Sequence, residues 1–121
     1  YIACEDILTL MDSMGLSENV NFADALVTVA GVYRDAGRLS ESQRYYIQAF
    51  NIYEEKKEDI KDDLHYIEGC LGYGEVSYIL GDKEKAIDYY IMAAETVKSF
   101  YGENETYNAI MNNIEAIKNS K

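Results

Sequence analysis

The chain has 121 residues, of which 48% are hydrophobic and 27% are charged, a composition that excludes an intrinsically disordered chain. It contains no proline and only 8 glycines, which favours long helices over a sandwich or barrel with many turns. The formal net charge of −11 should repel phosphate backbones and anionic lipid headgroups, so we expect neither nucleic acid nor a membrane as a partner.

Apolar residues recur at helical spacing over residues 1–15, which predicts a first helix. Because Tyr1 already lies inside this pattern, we expect the chain to be a piece of a longer protein. Residues 1–15 would then be the second helix of a truncated repeat, and Ile2, Ile7 and Leu10 would lack their covering helix. The sequence therefore predicts self-association through the exposed face of this N-terminal helix.

Residues 20–57 predict an antiparallel pair of helices separated by Gly37. The first helix, expected to extend to Ala36, has an apolar stripe made of Phe22, Leu26, Val29, Val32 and Tyr33. The second helix follows the glycine, where Ser40 and Gln43 have the spacing of a capping box. Its apolar positions are Tyr46, Ala49, Phe50 and Tyr53.

Residues 60–101 predict a second pair, separated by Gly81, and residues 104–121 predict one terminal helix. Asp82 is predicted to cap the second helix of this pair. Asn104, which also fits a glycosylation acceptor pattern, is predicted to cap the terminal helix. We therefore expect about six helices, joined by short connections, in one domain over residues 1–121.

The two pairs are copies of one another. Tyr46-Ile47-Gln48-Ala49 recurs as Tyr90-Ile91-Met92-Ala93, 44 residues later (90 − 46), and appears earlier as Tyr1-Ile2-Ala3-Cys4. The same shift pairs Ala30 with Gly74 and Gly37 with Gly81. Small residues at such positions let two helix axes approach closely, and the tyrosines fill the space beside them.

These positions resemble the tetratricopeptide repeat family, whose unit places large, small and aromatic residues in a first helix, then a glycine turn, then small, aromatic and small residues. In the first unit the matching residues are Leu26, Ala30, Tyr33, Gly37, Ser42, Tyr46 and Ala49. In the second unit they are Cys70, Gly74, Ser77, Gly81, Ala86, Tyr90 and Ala93, with Ser77 where an aromatic residue is usual. The resemblance implies a right-handed α-solenoid of antiparallel helix pairs.

The period is longer than the about 34 residues of the usual repeat. Longer units resemble the kinesin light chain subgroup. Its unit-joining segment is similar to Tyr101-Gly102-Glu103-Asn104, and its next helix often carries an Asn-Asn pair, here Asn112-Asn113.

The resemblance also implies a binding site on the concave face, which the first helix of each pair lines. The expected lining is Asp24, Val27, Gly31, Arg34, Glu68, Leu71, Glu75, Tyr78 and Asn112. Arg34 alone is basic among them, so we do not expect the capture of a C-terminal carboxylate by which chaperone-binding members act. The groove would have apolar anchors, Val27, Leu71 and Tyr78, and carboxylate acceptors, Glu68 and Glu75. Such a groove favours a neutral or basic segment of a protein or peptide.

Reactive chemistry is not expected. His65 lies near Asp62, Asp63 and Glu68, but zinc needs three or four suitable ligands, and a solvated helix start is the stronger interpretation. The two cysteines lie far apart in apolar stretches without a histidine partner, which is typical of reduced core residues. We therefore predict that the protein is not an enzyme and needs no cofactor or metal.

The sequence favours a protein-binding or peptide-binding scaffold that is part of a larger protein. A cytoplasmic setting is expected, because there is no signal-peptide pattern and no apolar run near the about 20 residues of a membrane span. Two alternatives stay open at this point. One is a peptide-sensing regulatory domain of a larger signalling protein, and the other is a structural or oligomerisation spacer.

Overall fold

The computed structural model of the chain describes residues 20–56 and 63–120. These residues form the helices α1 (Val20–Asp35), α2 (Leu39–Glu55), α3 (Asp63–Ile79), α4 (Lys83–Tyr101) and α5 (Glu105–Asn119). Both described ranges lack β-strands, which confirms the prediction of an all-α chain. The helix expected over residues 1–15 lies outside the described residues, and so do Cys4 and the face predicted to self-associate.

The chain divides into two compact units, one up to Tyr66 and one from Ile67 onward. The first unit contains α1 and α2, and the second contains most of α3 together with α4 and α5. The division falls inside α3, one turn after that helix begins.

The same turn ends α1 and α3. Gly37 and Gly81 have positive φ angles of 79° and 96°, a conformation that glycine adopts without a steric penalty. Past each glycine, the N–H of Arg38 donates to the carbonyl of Tyr33 at 2.9 Å and the N–H of Asp82 donates to the carbonyl of Ser77 at 2.8 Å. These bonds belong to the Schellman motif, which satisfies the last carbonyls of a helix and reverses the chain.

Helix α2 begins one residue before the predicted capping box, so that prediction is wrong. The carbonyl of Arg38 already accepts from the N–H of Ser42 at 3.0 Å, which makes Arg38 the N-cap and places Ser40 inside the helix. The other two predicted caps are confirmed: the side chain of Asp82 accepts from the N–H of Lys85 at 3.0 Å. That of Asn104 accepts from the N–H of Tyr107 at 2.9 Å.

The core of the first unit is the seam between α1 and α2. Helix α1 buries Ala23, Leu26, Val27, Val29, Ala30 and Tyr33. Helix α2 buries Ser42, Tyr45, Tyr46, Ala49, Phe50 and Tyr53. The rings of Tyr33 and Tyr45 stack with centroids 5.3 Å apart. Val32 was predicted in the apolar stripe but is 39% exposed, because it lies on the side of α1 away from this seam.

The second unit is built on the seams of α4 with α3 and with α5. The rings of Tyr73 and Tyr89 meet with centroids 4.4 Å apart, and Nζ of Lys85 lies 5.6 Å from the centre of the Tyr73 ring. Helix α5 buries Ile110, Ile114 and Ile117. The C-terminal end of α5 is hydrogen-bonded to the first residue of α4, since Nζ of Lys83 donates to the carbonyl of Ser120. This unit carries the cleft described below.

Candidate functional site

A cleft of about 410 Å³ opens in the second unit. It is lined by Glu75 and Tyr78 from α3, Tyr90 from α4, and Asn113, Ala116 and Ile117 from α5. Among these lining residues Glu75 carries the single formal charge, and none is basic. The cleft therefore combines aromatic and apolar walls with one carboxylate and one amide.

Helix α3 contributes one carboxylate and one aromatic ring to the cleft, because the two residues lie on the same helix face. Residues three apart share a helix face, so Glu75 and Tyr78 lie side by side, whereas Val76 and Ser77 between them are fully buried. The Tyr78 side chain is 39% exposed, and Glu75 is also exposed. Both were predicted as site residues, and the structure brings them together.

Tyr90 is one of four lining residues that the sequence did not assign to the site, together with Asn113, Ala116 and Ile117. It was predicted as a seam residue, and its ring does pack on the α3 backbone. A Cβ placed on Gly74 would lie 3.4 Å from both Cδ1 and Cε1 of that ring, and 3.3 Å from the carbonyl oxygen of Ala86. Tyr90 is nevertheless partly buried rather than fully buried, and it lines the cleft. One ring thus serves both the seam and the cleft.

Helix α5 presents Asn113, not the predicted Asn112, to the cleft. The phase of this helix is set by Ile110, Ile114 and Ile117, which are all buried. Asn113 precedes a buried position and lies one helical turn before Ile117, whereas Asn112 is exposed and is not among the lining residues. The predicted Asn112 is thus the direct chain neighbour of the amide that lines the cleft.

In the first unit, the counterpart of Tyr90 is hydrogen-bonded to a side chain of its own helix pair. Nη1 of Arg34 donates to the hydroxyl of Tyr46 at 3.0 Å. Its Nη2 lies 3.9 Å from the position that a Cβ on Gly31 would take, and 3.3 Å from a carboxylate oxygen of Asp35. Tyr46 is only 1% exposed. Arg34 and Gly31 were predicted as lining residues, and here the arginine lies against its own helix pair.

The remaining predicted residues do not line the cleft. Val27 is 1% exposed, so its side chain belongs to the core and cannot serve as an exposed anchor. Asp24 accepts a hydrogen bond from the Tyr53 hydroxyl, at 2.5 Å. Glu68 is exposed and Leu71 is partly buried, one to two turns before the cleft residues of α3.

Residues 20–56 and 63–120 contain no group of three or more His, Cys, Asp or Glu side chains placed to hold a metal ion. Cys70 is 0% exposed. None of the helices in these two ranges is long and apolar enough to cross a membrane. The cleft offers shape, aromatic rings and hydrogen-bonding groups.

Comparison with protein-family models, with curated proteins and with solved structures finds no match for this chain.

Proposed function

We propose that this chain is a helical-repeat scaffold of the tetratricopeptide type, part of a right-handed α-solenoid, that binds a protein or peptide on its α3–α5 cleft. The partner we propose is neutral to basic, and the setting is the cytoplasm. The cleft is the observation that carries this proposal, because it is the place where exposed aromatic, acidic and amide groups converge. Recognition sites are commonly concave, apolar and supplied with a few polar groups.

The repeat assignment is supported by packing at the matched positions. Apart from the turn glycine, the matched residues of the first unit are 0–1% exposed: Leu26, Ala30, Tyr33, Ser42, Tyr46 and Ala49. In the second unit Cys70, Ser77, Ala86 and Ala93 are each 0% exposed. Two helix pairs with the same glycine turn and mostly the same buried positions are expected of a duplicated hairpin.

Binding is favoured over catalysis by the composition of the cleft. A catalytic site needs a nucleophile or a matched acid and base within hydrogen-bonding reach of each other. The cleft has one carboxylate, one carboxamide and two phenols among its described lining residues. These groups suit the recognition of a side chain or an extended backbone.

The proposal is tested by screening the chain against a library of short peptides and locating the binding surface by amide chemical-shift changes. We expect binding of micromolar to millimolar strength, with the largest changes in Glu75, Tyr78 and Asn113. Ile47 and Ile91 are exposed isoleucines at equivalent positions outside the cleft and serve as reference signals.

A matched pair of variants separates the cleft from the rest of the surface. Asn113→Ala should weaken binding, whereas Ile91→Ala should leave it unchanged. Peptides that bind with shift changes at Ile47 and Ile91, and none at α3 or α5, would show that the cleft is not the site. A library without any binder would contradict the function itself.

A further inference from the structure

Resting on the proposed function, we infer that the α3–α5 cleft binds an arginine side chain of the partner peptide, held against Tyr78 and Tyr90 by the carboxylate of Glu75. The two repeats surround their seam tyrosines with different groups. In the first, the chain places its own arginine at the tyrosine that corresponds to Tyr90.

The correspondence follows from the 44-residue shift between the repeats (90 − 46). Under this shift Tyr46 becomes Tyr90, Arg34 becomes Tyr78 and Gly31 becomes Glu75. The two tyrosines hold the same position on the seam, after the same glycine turn. The residues near the two tyrosines differ at the other two positions of this comparison, which are 31 and 34 in the first repeat and 75 and 78 in the second. These positions lie on the first helix of each pair.

In the first repeat the seam tyrosine is satisfied from within the chain. The guanidinium of Arg34 donates to the hydroxyl of Tyr46 at 3.0 Å, and its other nitrogen reaches the open space above Gly31. Gly31 presents no side chain to the guanidinium. A guanidinium is therefore a group that can lie beside the seam tyrosine of this repeat.

In the second repeat the internal guanidinium is replaced by groups that attract one. Tyr78 stands where Arg34 would be, and Glu75 stands where the glycine would be. Both line the cleft with Tyr90, and none of the six lining residues is basic. Aromatic faces and a carboxylate are the two features that a protein uses to hold a cation, by cation–π attraction and by charge-assisted hydrogen bonds.

Arginine fits this cleft better than lysine. A guanidinium is planar and stacks on aromatic rings while it donates to a carboxylate in a fork, whereas an ammonium is a compact and strongly hydrated charge. The side-chain amide of Asn113, on α5, offers a further acceptor in the same cleft. The formal net charge of −11 favours the approach of a basic segment and makes the association sensitive to salt.

A set of peptides that differ at one position tests the inference. Flanking sequences taken from a peptide array are kept constant, and the central residue is arginine, lysine, citrulline or glutamate. We expect arginine to bind about three- to tenfold more tightly than citrulline, which has the same shape without the charge, with lysine between them. Glutamate peptides should bind least.

Two variants assign the preference to the cleft. Glu75→Gln should reduce the affinity for arginine peptides about three- to tenfold and leave citrulline peptides unchanged. Glu95→Gln removes an exposed carboxylate of α4 outside the cleft and should change neither. Circular dichroism of both variants checks that the fold is kept, which is expected because both residues are exposed.

The outcomes separate the inference from the function on which it rests. Peptides that bind equally well with arginine and citrulline, or that keep their preference in Glu75→Gln, would overturn the arginine site and leave the scaffold function standing. An array with no binder of any charge would overturn both.

Discussion

The two helix pairs share a backbone plan and differ in what fills the space between their helices. In the α1–α2 pair, Arg34 reaches across to the hydroxyl of Tyr46 and the tyrosine is buried. In the α3–α4 pair, Tyr78 replaces the arginine, and Tyr90 lines an open cleft. The two repeats therefore share their glycine turn and their small residues but differ in the side chains that surround the seam tyrosine.

The two repeats also differ in which aromatic rings pack against each other. Tyr33 stacks on Tyr45 in the first, and Tyr73 meets Tyr89 in the second. Tyr45 and Tyr89 correspond under the 44-residue shift (89 − 45), but their partners do not, since Tyr73 lies one helical turn before the counterpart of Tyr33. That counterpart is Ser77, and in the second repeat a ring four residues earlier, Tyr73, fills the seam.

The largest expected effect is a loss of stability on replacing the buried seam tyrosine, compared with replacing the tyrosine that lines the cleft. Tyr46→Ala should lower the free energy of unfolding by about 3–5 kcal/mol, by analogy with a buried Phe→Ala change, because its ring is 1% exposed. Tyr90→Ala should cost clearly less, since part of its ring already faces the cleft. Urea denaturation followed by circular dichroism measures both. Equal losses would mean that the two repeats are filled alike.

Glycine substitutions are expected to have the next largest effect. Gly74→Leu should destabilise by about 1–3 kcal/mol, because any Cβ there lies 3.3 Å from the Ala86 carbonyl and 3.4 Å from the Tyr90 ring. Gly31→Ala is the control: its Cβ would meet only the movable tip of Arg34, at 3.9 Å, and it should stabilise α1 by up to about 1 kcal/mol. Thermal melts of both variants test this contrast.

Replacing two buried serines should give the smallest changes in stability, with different outcomes at the two positions. Ser42 donates from Oγ to the carbonyl of Ala30 at 2.7 Å, so Ser42→Ala should cost about 1 kcal/mol. Within the described part of the chain Oγ of Ser77 is buried without a hydrogen-bond acceptor or donor. Ser77→Ala should therefore leave stability unchanged or raise it by up to about 1 kcal/mol. A loss in Ser77→Ala would show that its hydroxyl is satisfied in solution.

The sequence predicted the described helices because glycine turns and apolar spacing act locally. It misplaced the start of α2 because a serine with capping-box spacing competed with the Schellman turn, which made Arg38 the N-cap. The 44-residue period does predict the N-cap of α2 correctly, because Arg38 corresponds to Asp82, the N-cap of α4.

The cleft was only partly predictable. Glu75 and Tyr78 follow from their positions on one helix. Asn113 could not be separated from Asn112, because the rotation of α5 depends on how its isoleucines pack against other helices. Tyr90 was assigned to the seam alone, since a sequence pattern does not show that one ring faces two environments. Val27 was expected to be exposed, but packing of α1 buries it.

The affinity of the Tyr78→Arg variant for arginine peptides tests the central claim most directly, because this change gives the second repeat the arginine of the first. We predict that the introduced guanidinium occupies the cleft beside Tyr90 and reduces binding of arginine peptides at least tenfold, while the fold is kept because Tyr78 is 39% exposed. Unchanged affinity in a folded Tyr78→Arg variant would contradict the account.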